Sequence, residues 1–314
     1  MTFRNPLCPQ GADPFLTWHD GWYFLSATRG SHISLRRARR LADLKEAPEE
    51  VVWQDETPGR SVQLWAPEFH RLDSGNGPRW YLYYTASDRT DPGHRMFVCE
   101  SAGGDLRGPY TFKSQLQTDP DDAFYAIDGS VLRLDNGDLY FFWCGKPSPT
   151  GQGLYVSRMA NPWTLTGERT FLDADGFGCD EVREGPVTLL RNGRVFLIYS
   201  VCDTGKPDYK LALLVADAAA DLTDPSVWTQ HPAPVFTRND DAGVYGPGHC
   251  FFFRSPDNAQ DWIAYHAKTT AEYTYENRSA RAQPFSWTAD GLPDFGRPLG
   301  LDTEIVAPSG EAAP

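Results

Sequence analysis

Five short turns constrain what this chain can fold into. Asp20-Gly21, Asn76-Gly77, Asn136-Gly137, Asn192-Gly193 and Asp257-Asn258 each stand beside a run rich in aromatic and β-branched residues. Those runs are "GWYFLSAT", "RWYLYYTA", "DLYFFWCG", "RVFLIYSV" and "WIAYHA". Asn-Gly and Asp-Gly between apolar runs are the strongest local signal for a β-hairpin. Counted at their second residue, the turns lie 56, 60, 56 and 65 residues apart, so five similar units fill the chain. Further strand-like runs follow in most units: "HISLRRAR", "RMFVCESA", "GLYVSRMA" and "KLALLVAD". Helical patterns are confined to "RRLADLKEA" and "VADAAADL", each read as a turn or two. A repeat of this length with several strands per unit is the pattern of a propeller blade. The sequence therefore predicts an all-β fold, a five-bladed β-propeller, as one domain over residues 1–314. A β-sandwich of similar strand count would not demand five near-equal units.

Charge and cysteine usage narrow the partners. The 314 residues carry 29 Lys and Arg against 42 Asp and Glu, a formal charge of −13. That argues against nucleic acid or an anionic membrane surface, both of which favour basic patches. No apolar run approaches a membrane span, and "MTFRNPLCPQ" lacks the apolar core of a signal peptide. The six cysteines (Cys8, Cys99, Cys144, Cys179, Cys202, Cys250) form no C-x-x-C pair. They read as buried reduced thiols, and the expected location is cytoplasmic.

When the units are aligned on their turns, acids recur. Asp13 lies eight residues before Gly21, Asp128 nine before Gly137, and Glu184 nine before Gly193. The second unit has "WAPEFH" in the comparable place and the fifth "YGPGHC". Each acid alone also reads as a turn or strand opener. In a propeller, however, the first strand of every blade lines the central channel. Three acids in equal register would then face one another across one mouth. Paired carboxylates in a concave site suit glycoside hydrolysis: one donates a proton to the leaving oxygen, the other stays ionised. A third acid raises the proton donor's pKa by like-charge repulsion. Trp65, Phe15 and Phe124 are the aromatics placed near the mouth to stack on sugar faces.

These pieces resemble glycoside hydrolase family 43. The matching stretches are "NPLCPQGADPF" with Asp13, "LWAPEFH", "AIDGSV" with Asp128, "EGP" with Glu184, "YGPGHC" with His249, and "ENRSARAQPFSW" with Arg278. They follow the family's order over nearly the whole chain. Cys250 departs from the asparagine expected after the histidine. The resemblance implies an inverting hydrolase with Asp13 as general base, Glu184 as general acid and Asp128 tuning and orienting Glu184. Such a mechanism wants base and acid roughly 6.5–9.5 Å apart to admit a water. Arg278 matches an arginine that contacts sugar hydroxyls, with Arg281 a second candidate. "PVFTRNDDAGVYGPGHCFFF" and "DGLPDFGRP" look most like the small exo-acting members, which remove terminal α-L-arabinofuranosyl or β-D-xylosyl units. Small oligosaccharides are then the expected partners, with the oligomeric state open.

The resemblance also implies a calcium ion at the pocket floor, held by His249 and waters. Spacing alone gives His249 the competing role of a buried neutral residue, and no second histidine stands at zinc-ligand spacing. An endo-acting arabinanase and a non-catalytic sugar-binding propeller are the alternative functions. The fructan and sucrose hydrolases share the architecture, but "GADPF" and "AIDGS" lack their Asn-Asp-Pro-Asn-Gly and Arg-Asp-Pro motifs.

Overall fold

Five four-stranded antiparallel sheets follow one another along the chain, as the turn spacing predicts. The computed structural model describes residues 1–148 and 151–311; residues 149–150 and 312–314 of the expected 1–314 span lie outside the described residues. The inner strands of blades 1 to 5 are Phe15–His19, Val62–Asp73, Ala126–Arg133, Arg183–Arg191 and Tyr245–Arg254. Each pairs with the next strand in sequence, Trp22–Ser26, Pro78–Ser87, Leu139–Ser148, Arg194–Val201 and Asp261–Lys268. Thr2–Phe3 pairs with Ile305–Val306, so the two ends of the chain meet in a small extra sheet. Leu41–Lys45 forms a short 3-10 helix inside "RRLADLKEA". "VADAAADL" instead ends the strand Lys210–Asp217 and continues as a turn, closed by Ala220 N–H donating to Asp217 O.

The five large apolar clusters fall one to each blade interface, because both faces of the middle strands are covered. In Arg194–Val201 the residues Val195, Leu197, Tyr199 and Val201 pack toward blade 3. Their alternates Phe196 and Ile198 pack toward blade 5. This is period-two geometry with no solvent face, and it makes these strands read as unbroken apolar runs.

Two of the turns are tight. Asp20-Gly21 and Asn192-Gly193 have positive φ at both residues (47° and 79°, 51° and 73°), as a type I′ hairpin requires. The N-terminal segment is laid against the third strand of blade 5. Asn5 exchanges side-chain bonds with both backbone groups of Ala282, and Gly11 N–H donates to Arg278 O at 2.8 Å. A Cβ on Gly11 would stand 2.3 Å from Ala280 N, so only glycine permits this approach.

The expectation of six reduced thiols needs correcting. Cys8, Cys99, Cys144 and Cys250 are free and buried, but Cys179 and Cys202 form a disulfide with Cα atoms 4.9 Å apart. The connection into blade 4 carries Cys179 back beside the end of that blade's second strand, a proximity that sequence spacing hides.

Candidate active site

A β-bulge stands at the head of the inner strands and turns the backbone there. Register breaks fall between Trp65 and Glu68, Ile127 and Ser130, Glu184 and Val187, and Gly248 and Phe251. The first bulged residues Ala66, Asp128, Gly185 and His249 all have positive φ (43°, 56°, 54° and 43°), and Asp13 in blade 1 has 54°. For a residue other than glycine this conformation costs roughly 1–3 kcal/mol, and it re-aims the side chain across the sheet. The equal register read from the sequence is thereby refined. Asp13 and Asp128 occupy the bulge, whereas Glu184 precedes it and Gly185 takes the left-handed position.

A bulge leaves an amide that its own ladder does not satisfy. The preceding blade supplies the acceptor each time. Ala66 N–H donates to Thr28 Oγ1 at 2.8 Å, Asp128 N–H to Thr85 Oγ1 at 3.2 Å, and His249 N–H to Ser200 Oγ at 2.8 Å. In blade 1 the acceptor is a ring: Asp13 N–H donates to His266 Nδ1 at 3.1 Å. Blade 4 departs again. The matching position in blade 3 is Cys144, paired with Ile127, and Gly185 N–H donates instead to Asp128 Oδ2 at 3.1 Å. One carboxylate of the site thus secures the backbone beside another.

The three acids line one cavity of about 390 Å³, within the range of small-molecule sites. Trp65, Tyr125, Gln152, Asp203, Thr204, His249, Tyr275 and Arg278 complete its wall, with Thr28, Ile127 and Val182. Asp13 is crowded by donors. Arg278 Nη1 donates to its Oδ1 at 3.2 Å and Thr28 Oγ1 to its Oδ2 at 2.7 Å. Burial opposes ionisation, but Arg278 outweighs it, joined by His249 and His266 where these are protonated, and holds the Asp13 carboxyl well below the usual carboxylate range. Burial pushes His266 down to about 4, so its ring is neutral at pH 7. With Nδ1 accepting from Asp13, its proton sits on Nε2, 3.1 Å from Thr204 Oγ1.

Glu184 has the opposite surroundings. Tyr209 OH donates to its Oε1 at 2.8 Å and Gln152 Nε2 to its Oε2 at 3.0 Å, both neutral donors. Burial, reinforced by the charges of Asp13 and Asp203, pushes Glu184 up to about 7. Asp128 is also held well above the ordinary range, first by burial and then by the charges of Glu184 and Asp13. These two carboxyls resist ionising together, so their last proton leaves late.

Tyr209 lies flat on His266, with ring centroids 5.4 Å apart and planes 5° apart. A Cβ on Gly248 would meet Tyr209 Cε1 at 2.3 Å, which explains the second glycine of "YGPGHC". The stacked pair links the amide of Asp13 to the carboxyl of Glu184 across the blade 4–5 interface. Neither residue is evident in the sequence reading, nor is Gln152. Only His266 leaves a trace there, as a polar residue inside the apolar run "WIAYHA".

Of the expected aromatics, Trp65 lines the cavity, its ring stacked on His94 at 4.2 Å. Phe15 does not. It is 1% exposed and packs against Phe69 and Phe251 in the core. Phe124 is exposed outside the cavity with the Arg169 guanidinium over its ring, and its neighbour Tyr125 takes the wall position. Arg278 is in the site. Arg281 is not: it is wholly buried in blade 5, bonded to Ser279 Oγ and Ala267 O. His249 is in the wall, its Nδ1 3.4 Å from Asp13 Oδ1 and 4.0 Å from Asp128 Oδ2. Among the described residues no group of three or more His, Cys, Asp or Glu stands at metal-holding geometry. An ion beside His249 would therefore rest mainly on water.

The chain is similar to proteins of one family. The family model "Glycosyl hydrolases family 43" matches residues 3–293. An extracellular exo-α-(1→5)-L-arabinofuranosidase of Streptomyces avermitilis is 35% identical over 95% of this chain, which spans 64% of that protein's length. One of the same name from Streptomyces chartreusis is 36% identical, covering 86% of this chain and 84% of its own. The crystal structure of an α-L-arabinofuranosidase from Lactobacillus brevis superposes with a TM-score of 0.87 at 33% identity, covering 96% of this chain and 98% of that one. Two of these relatives are named extracellular, which overturns the cytoplasmic expectation. The Cys179–Cys202 disulfide, a bond that persists in oxidising compartments, runs against it as well. With its propeller, its acids and its match over residues 3–293, the chain belongs to glycosyl hydrolases family 43.

Proposed function

We propose that this protein is a secreted exo-acting pentosidase that removes terminal α-L-arabinofuranosyl units from small oligosaccharides with inversion. Asp13 is the general base, Glu184 the general acid, and Asp128 tunes and positions Glu184. The observation that carries this reading is the split between carboxyls in one cavity: Asp13 held well below the ordinary range, Glu184 pushed up to about 7. Water hydrogen-bonded to ionised Asp13 attacks the anomeric carbon and gives its proton to that carboxylate. The bond from this carbon to the leaving oxygen breaks, and the Glu184 proton passes to that oxygen. Arg278 keeps Asp13 charged before the reaction begins.

The arabinofuranosyl preference is supported by the names of the relatives, and secretion by the same names together with the disulfide. Because the chain spans 64% of the first of these relatives, the activity is proposed for this chain on its own residues. Terminal β-D-xylosyl units present similar hydroxyls to the same wall and are a second substrate in this proposal. The test is a side-by-side rate measurement on 4-nitrophenyl α-L-arabinofuranoside and β-D-xylopyranoside, with the first-formed anomer followed by NMR. We expect the arabinofuranoside to be cleaved faster and β-arabinose to appear first; α-arabinose appearing first would contradict inversion. A water-held calcium beside His249 is part of the proposal, and no step depends on it. Its expected sign is a higher melting temperature on adding calcium after chelation, lost in His249→Ala; no change in either protein removes the ion.

A further inference from the structure

Two large aromatic side chains stand in solvent at the rim of the cavity. Tyr273 is 59% exposed and Tyr275 51% exposed, both on the connection 269–278 that follows the second strand of blade 5. Exposed rings of this size are ordinarily free to rotate, but these are fixed. Tyr275 OH donates to Asp203 Oδ2 at 3.0 Å, which leaves Tyr273 OH to donate to Tyr275 at 2.7 Å. Their ring centroids lie 5.6 Å apart, edge to face. Tyr273 also rests on Gly205, where a Cβ would stand 2.9 Å from its Cε2.

The backbone beneath is anchored from inside the protein. Lys268 is fully buried and, among the described residues, pairs with no carboxylate. Its ammonium donates to the carbonyls of Gly205, Thr274 (3.1 Å) and Glu272 (3.5 Å), one for each N–H. A buried charge costs several kcal/mol unless its donors are satisfied, so this lysine ties the connection to the blade 4 loop. Thr274 N–H adds a bond to Gly205 O at 3.0 Å, and Asp203 Oδ1 accepts from Gly205 N–H at 2.7 Å. Rings held this way lose little freedom when a ligand covers them.

Their position names the ligand. Tyr275 and Asp203 line the cavity, and the loop that carries Asp203 runs on to Tyr209, whose hydroxyl donates to Glu184 Oε1 at 2.8 Å, so this rim flanks the proton donor. Arg278 Nε donates to Tyr275 O at 3.0 Å and ties the rim to the Asp13 side as well. A proton donor faces the leaving oxygen, and whatever that oxygen carries departs over this rim. The cavity of about 390 Å³ also exceeds what one five-carbon ring fills. We propose that Tyr273 and Tyr275 form a stacking platform for the sugar ring next to the scissile bond on the leaving side, an inference that rests on the glycosidase reading above. The apolar C–H face of a furanose or pyranose ring lies on the tyrosines, and Lys268 acts as a positioning residue through the loop.

The test separates the leaving-side sugar from the terminal one. Free L-arabinose, as competitive inhibitor, occupies only the terminal pocket; α-1,5-linked arabinobiose needs both places. In the double variant Tyr273→Ala/Tyr275→Ala, kcat/KM for arabinobiose is expected to fall about ten-fold, the size of a lost ring-stacking contact, while the arabinose inhibition constant holds. Lys268→Met is expected to move the same ratio in the same direction. An unchanged kcat/KM for arabinobiose, or an inhibition constant that shifts in step with it, overturns the platform while leaving the glycosidase reading intact. A wild-type protein inert on every pentoside overturns that reading and the platform with it.

Discussion

The junction between blades 5 and 1 and the junction between blades 3 and 4 use one backbone device for opposite ends. Each presents a carboxylate from a bulged strand head, and each must satisfy a stranded bulge amide. At the first, His266 takes the amide of Asp13 while Arg278 and Thr28 donate to its carboxylate, so the acid stays ionised inside the protein. At the second, Cys144 stands where the other blades have Thr28, Thr85, Ser200 or His266, and Asp128 takes the Gly185 amide itself. Among the described residues no cation pairs with Glu184; its two hydrogen-bond donors are neutral, Arg278 acts on it only at a distance, and burial favours its protonated form. Protonation at this site is thus set by burial together with the donors around each acid, since the acids share one scaffold and one cavity.

The largest expected effects lie in the acids themselves. Glu184→Ala and Asp13→Ala are each expected to lower kcat on arabino-oligosaccharides by about 10²–10⁴-fold. Only the Glu184 variant should recover on 4-nitrophenyl arabinofuranoside, whose leaving group needs no proton, and equal recovery of both would break the assignment. Arg278→Met removes the cation from the first junction. Loss of about ten- to a hundred-fold in kcat/KM is expected, with the acidic limb of the pH profile moving up as Asp13 loses its partner. An unmoved acidic limb would mean that Arg278 serves binding alone. Asp128→Asn sharpens the second junction. With the like charge gone, the last proton of the Asp128–Glu184 pair leaves earlier, and the basic limb is expected to fall by about one pH unit. The smallest effect tests the odd position. Cys144→Ser offers Gly185 a hydroxyl acceptor, as Ser200 offers His249, and so competes with Asp128; kcat is expected to drop about three-fold. Cys144→Ala offers none and should leave kcat alone, so equal losses in the two variants would remove the cysteine from the account.

The five blades are legible in the sequence because their signal is local: two residues fix each turn, and the runs beside them lie flat against two neighbours. Asp13 and Asp128 are legible because acids at fixed distances before those turns fall on the inner strand heads. The one-residue offset of Glu184 is not, since a bulge shifts register without leaving a composition. Phe15 and Phe124 misled for a related reason. Nearness in sequence to an acid at a strand head says nothing about which face the next side chains take, and Phe15 turns into the core while Tyr125 displaces Phe124. Tyr209, Gln152 and His266 reach the acids from second and third strands or their loops, across blade interfaces that no spacing encodes. The Cys179–Cys202 pair was hidden in the same way, because a whole hairpin separates its two halves.

The pH profile of kcat/KM on arabinobiose tests the opposition of the two junctions most directly. Catalysis needs Asp13 ionised and Glu184 protonated in the free enzyme. Activity is therefore lost as pH rises through the Glu184 value, and lost on the acid side only when pH falls through the depressed Asp13 value. The expected result is a basic limb at about 7 and an acidic limb below the ordinary aspartate value of 3.8. A basic limb near 4.5, where an ordinary glutamate titrates, or an acidic limb above 3.8 would contradict it.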